Sequence, residues 1–219
     1  MQKKILTLFV FVVTIPLYMS AHAFEDGDLQ LWNTDSLETK LNKSLKVKVE
    51  EELRFGDDVS ELYYTHTDGG LTYGVNKNLD LGVNYRQIFE KKKGEWKEES
   101  RPHANATLKF TWEDFKFSVR NRLEMRIREG QKDVWRCREK FTVVAPWKWT
   151  SFEFQPYVAD EMDIDFEGKK FTRNRLSAGF QFKLVENLKS DVFYMWQSSK
   201  TDDDWLDYNV IGIKLKAAF

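Results

Sequence analysis

The sequence predicts an all-β protein: a transmembrane antiparallel β-barrel of about 10–12 strands with short periplasmic turns and longer outer loops. Three observations predict it. Long segments alternate polar and apolar residues with a period of two. The connections between them alternate between short turns and longer, charged loops. The chain opens with an export-type leader and closes on an aromatic residue at the end of an amphipathic strand.

The clearest segment is KFSVRNRLEMRIR, residues 116–128. Phe117, Val119, Asn121, Leu123, Met125 and Ile127 fall on one face; Lys116, Ser118, Arg120, Arg122, Glu124, Arg126 and Arg128 fall on the other. A helix, with its period of 3.6, would scatter these groups around its circumference, whereas a strand sorts them. The run is about twice the usual length of a soluble strand and matches a membrane-crossing one.

At the N-terminus, a basic head (Lys3, Lys4) precedes an apolar stretch over residues 5–19, and Ala21-His22-Ala23 supplies a small-x-small cleavage site. Residues 1–23 are therefore expected to be a secretory signal peptide, and residues 24–219 the barrel. The stretch is too short for a comfortable membrane-spanning helix.

The strands follow in order. In residues 45–55, Leu45, Val47, Val49, Leu53 and Phe55 oppose Lys46, Lys48, Glu50, Glu52 and Arg54. In residues 79–89, Leu79, Leu81, Val83, Tyr85 and Phe89 oppose Asp80, Asn84 and Arg86. Ala104, Ala106, Leu108, Phe110 and Trp112 alternate with His103, Asn105, Thr107, Lys109 and Thr111. Residues 135–145 are less regular, because Glu139 shares the face of Trp135, Phe141 and Val143. Either Glu139 sits near the membrane interface or the register slips there, since a charge on the lipid face is costly. Leu176, Ala178, Phe180, Phe182 and Leu184 form a further apolar face opposite Arg173, Arg175, Ser177 and Lys183.

The last strand alternates Ile211, Ile213, Leu215, Ala217 and Phe219 with Gly212, Lys214, Lys216 and Ala218. A terminal Phe219 on such a strand resembles the signal by which barrel-assembly machinery recognises its clients.

Expected short turns are residues 42–44, 76–78, 113–114, 146–148 and 186–187. Expected longer loops are 56–58, 91–98, 129–131, 163–169 and 200–204. Trp112, Trp147 and Trp149 cluster at expected periplasmic turns, where an interfacial girdle belongs. Five hairpins from residue 45 onward give ten strands and leave residues 28–41 as an eleventh piece, which folds back, lines the lumen or pairs with a short additional strand.

Composition agrees with an exported β protein. The formal net charge is -1, with 34 basic and 35 acidic residues, which does not point to nucleic acid as a partner. The single Cys137 cannot form an intrachain disulfide.

Several motifs together resemble an uncharacterised family of bacterial outer-membrane barrels, classed as a domain of unknown function, family 2490. They are Leu31-Trp32, EELRF (51–55), ESRPH (99–103), RNRLEMR (120–126), WRCR (135–138), PYVADE (156–161), NRLSAG (174–179) and YMWQ (194–197). They run through most of the chain in order. The resemblance implies an outer-membrane barrel in contact with outer-membrane lipid, and it supplies no activity.

The inferred lumen carries Arg120, Arg122, Glu124, Arg126, Arg136, Arg138, Glu153, Glu161, Arg173 and Arg175, with His103 at a strand start near the outer rim. Arg pairs in two-pronged fashion with carboxylates and phosphates. Two readings compete. Arg and Glu pair across strands and close a narrow barrel with an envelope-structural role, or the Arg residues line a pore for small anionic solutes such as acidic oligosaccharides. Internal pairing is the reading taken, because small barrels fill their interior with side chains. A lipid-modifying enzyme is a third reading, with His103, Glu99 and Ser100 as its residues, but no nucleophile motif accompanies them. No metal site or cofactor is expected, since no ligand spacing and no Gly-rich phosphate loop is present.

Overall fold

The computed structural model describes residues 24–167, 170–201 and 204–219; the expected signal peptide lies outside the described residues. Eleven strands form one closed barrel, in agreement with the all-β expectation. They are β1 (Asp28–Lys40), β2 (Leu45–Gly56), β3 (Glu61–Gly74), β4 (Leu79–Lys92), β5 (Glu95–Trp112), β6 (Phe115–Arg128), β7 (Val134–Val144), β8 (Gln155–Asp165), β9 (Lys170–Val185), β10 (Leu188–Lys200) and β11 (Trp205–Ala218).

Neighbours in sequence pair antiparallel around the wall. The segment whose role the sequence left open is β1, and it closes the barrel. It pairs antiparallel with β2 and parallel with β11, from Asp28↔Tyr208 to Glu38↔Ala218. A parallel closing pair follows from an odd strand count. Every strand thereby has two partners, so no edge is left with unpaired backbone groups.

One end of the barrel, here the lower, holds residues 41–44, 75–78, 113–114, 145–154 and 186–187, together with Phe219, whose N–H bonds to the Glu38 carbonyl at 3.0 Å. The upper end holds the other five connections. Connection length does not separate the two ends as the sequence suggests. The charged stretch 91–98 is mostly strand, with a two-residue turn at Lys93 and Gly94; both have positive φ, 52° and 81°. That is the turn whose twist matches the flanking strands. Glu113 and Asp114 make the matching turn between β5 and β6, at φ 46° and 66°. Conversely, the short turn expected at 146–148 belongs to a ten-residue connection, 145–154, tied by a Trp149↔Phe154 bridge.

The outward face is largely apolar, with Val83, Leu108, Val158, Leu176 and Ile211 all exposed. Aromatic residues gather at its lower end, where Phe110 stacks on Phe117 and Phe154 on Phe182. Glu139 does point outward, in register between Asn121 and Met162, so the register does not slip there. Glu51 also faces out and accepts from Thr65 and Thr67 at 3.1 and 2.6 Å.

The interior has two sectors. Trp32, Tyr157, Ala159, Phe193, Met195 and Val210 form an apolar cluster on β1, β8, β10 and β11. Phe193 lies across Gly212, where a Cβ would come within 2.0 Å of the ring. Glycine is thus required beneath it. The opposite sector is ionic.

Candidate functional site

The inward positions of β2 to β9 bring arginines and carboxylates together at mid-height. Arg138 is the hub. Its Nη2 donates to Glu161 Oε1 at 2.5 Å, its Nε lies 3.2 Å from Asp163 Oδ1, and its Nη1 lies 3.6 Å from Glu124 Oε2. Glu161 also accepts from Arg175 at 2.8 Å and from Arg120 at 2.6 Å. Arg86 donates to Asp68 at 2.8 Å. Arg54 donates to Glu52 at 2.7 Å, and its guanidinium sits 3.5 Å over the Trp32 ring and 4.0 Å from that of Tyr64. Alternation explains the assembly. Tyr157, Ala159, Glu161 and Asp163 take every second position of β8 and all face inward, as Glu124, Arg122 and Arg120 do on β6.

This layer divides the interior. A cavity of about 530 Å³ lies below it and one of about 830 Å³ above. Arg54, Arg86, Arg138 and Arg175 line both. They form a septum one side chain thick, held by opposite charges on the same or neighbouring strands.

Above the septum, Arg126 grips Glu99 through two hydrogen bonds, at 2.6 and 2.9 Å, and Arg101 shares the same carboxylate at 2.6 Å. Arg136 pairs with Asp165 and, at 3.4 Å, with Asp163. Arg173 donates to Ser199 at 3.0 Å and lies 3.8 Å from Asp163.

All the arginines singled out in the sequence, with Glu124 and Glu161, therefore lie inside the barrel. Glu153 does not. It sits exposed in the 145–154 connection, where Lys148 donates to it at 2.5 Å and holds its carboxyl below the ordinary range. Residues 145–154 form a connection outside the named strands, where alternation assigns no face.

His103 is also displaced from expectation. It lies well inside β5, with its Nε2 3.6 Å from Asp68 Oδ2, and not at a strand start. Ser100 points to the opposite, outer face and hydrogen-bonds Tyr85 and Gln87 at 2.8 and 3.0 Å. The strand thus separates His103 from the serine that a catalytic arrangement would need.

Three interior residues are not singled out by the sequence: Asp163, in a stretch that reads as a loop, and Asp68 and Arg101. The signal for Asp163 was present: Tyr157, Ala159 and Glu161 already set its face.

The fold and this interior define a closed β-barrel filled with ion pairs. More particularly, the chain belongs to the family described as protein of unknown function (DUF2490), whose sequence model matches residues 29–208. Among curated proteins, no sequence matches it significantly.

Proposed function

We propose that the protein is a bacterial outer-membrane barrel that is closed to solute flow and serves envelope structure. The observation that carries this is the septum: four arginines shared by both cavities, each tied to a carboxylate on its own or a neighbouring strand. Buried pairs of this kind hold a wall shape, because removing one partner strands the other charge.

The outward face supports contact with outer-membrane lipid. It combines an apolar belt with tryptophans at both ends, Trp112, Trp147 and Trp149 below and Trp96 and Trp135 above. Phe219 is proposed as the residue read by barrel-assembly machinery during insertion.

Fractionation of cells producing the full chain tests the location. The expected result is recovery in the outer membrane, with a gel mobility that changes on boiling. Recovery as a soluble periplasmic protein contradicts it. A second reading, a narrow pore for small anionic solutes, is favoured by the excess of Arg and Lys over carboxylates around both cavities.

A further inference from the structure

We infer that the lower cavity is a binding chamber for a small, hydroxyl-bearing oxyanion, such as a sugar phosphate or a sugar acid. The septum neutralises its own charges, whereas the wall beneath it does so only in part: Lys48 pairs with Glu50 at 2.5 Å and Lys216 with Glu38 at 3.1 Å, and four further cations are left over. Arg122, Lys140, Lys189 and Lys214 line this cavity, and among the described residues none has a carboxylate within 4.0 Å. Arg122 has Asn105 Oδ1 as its Nε acceptor, at 2.8 Å.

The strand register sets like charges directly opposite one another on this surface. Arg120 faces Lys140, Arg122 faces Arg138, and Lys189 faces Lys216. Opposed like charges weaken a sheet, so a wall built this way is stabilised by an anion that lies between them. Its volume, about 530 Å³, suits a ligand the size of a monosaccharide derivative.

Two further groups refine the chemistry. The Lys214 ammonium sits over the Phe193 ring, 4.6 Å from its centre, so the ring face holds a charged donor in place at the cavity wall. Asp191 Oδ1 is buried and, among the described residues, has no hydrogen-bond partner, although Asp191 lines the same cavity. A carboxylate among cations repels a bare anion but accepts from a hydroxyl. The pair of features therefore selects an anion carried on a polyol.

Isothermal titration of the refolded full chain in detergent, at low salt, tests this with glucose 6-phosphate, glucuronate, inorganic phosphate and glucose. The expected result is saturable binding of glucose 6-phosphate, glucuronate or both, and which of them binds identifies the anionic group. Glucose alone should not bind, and inorganic phosphate should bind at least tenfold more weakly. K140Q/K214Q should lose at least tenfold in affinity while melting at the wild-type temperature or above, because it relieves repulsion. K189Q, close to the open rim, gives the same comparison with less disturbance, as a smaller loss of affinity, should the double variant not refold. Absence of saturable binding, equal binding of glucose, or unchanged affinity in K189Q and the double variant overturns the proposal.

Discussion

The septum and the chamber below it both present inward-facing cations, and on β7 they share a strand, yet their charges are arranged in opposite ways. On β7, Arg138 lies within 4.0 Å of three carboxylates, while Lys140, the next inward residue, faces Arg120 in register and has none within that distance among the described residues. Composition alone cannot assign a role to an interior cation. Register decides whether it meets a carboxylate and holds the wall, or meets another cation and leaves a field for a ligand.

The largest effect should come from the septum. Glu161→Gln removes the shared acceptor of Arg138, Arg175 and Arg120 and should cost about 3 kcal/mol, the low end for a broken buried pair because both cavities admit water. It should appear as a lower unfolding temperature of the heat-modifiable gel band. A melting temperature equal to wild type would place the septum outside the groups that hold the wall.

Arg54→Gln keeps a polar group but gives up the bond to Glu52 and the position over Trp32 and Tyr64. A loss of about 2 kcal/mol is expected in urea unfolding followed by tryptophan fluorescence. An effect as large as that of Glu161→Gln would show that Arg54, with its carboxylate and its two rings, holds the wall as strongly as the shared Glu161 carboxylate does.

His103→Gln should cost about 1 kcal/mol or less, since Gln retains a polar group beside Asp68. Loss of an envelope-lipid modification in a stably inserted His103→Gln protein would instead revive a catalytic role. The smallest change is expected from Lys140→Gln, within about 0.5 kcal/mol of wild type in the same unfolding assay. A loss as large as that of the septum variants would erase the distinction between the two regions.

Much of this was legible in the sequence, and the reason is periodicity. Residues 116–128 and 211–219 place every side chain on a face by alternation alone, and their inward arginines and lysines lie where they were expected. β1 was obscured because Asn33 and Asp35 stand on its outer face while Gln30 and Thr34 stand on its inner one, so no contrast marks it as a strand. The 91–98 hairpin looks like a loop in the sequence because charges occupy both faces at its upper end. Glu153 departs from the lumen expectation because it lies in a connection, where no alternation fixes a face. Above all, the sequence shows that Arg138 faces inward but not that Glu124, Glu161 and Asp163 surround it. That grouping depends on how β6, β7 and β8 slide past one another, which no single strand encodes.

The most direct test of the closed septum is the current through single barrels in a planar bilayer. The wild-type protein is expected to add nothing above the bilayer leak, and Arg138→Ala/Arg175→Ala, which removes two of the four shared arginines, should open a measurable conductance between the cavities. A large, anion-selective current through the wild-type protein would contradict the account.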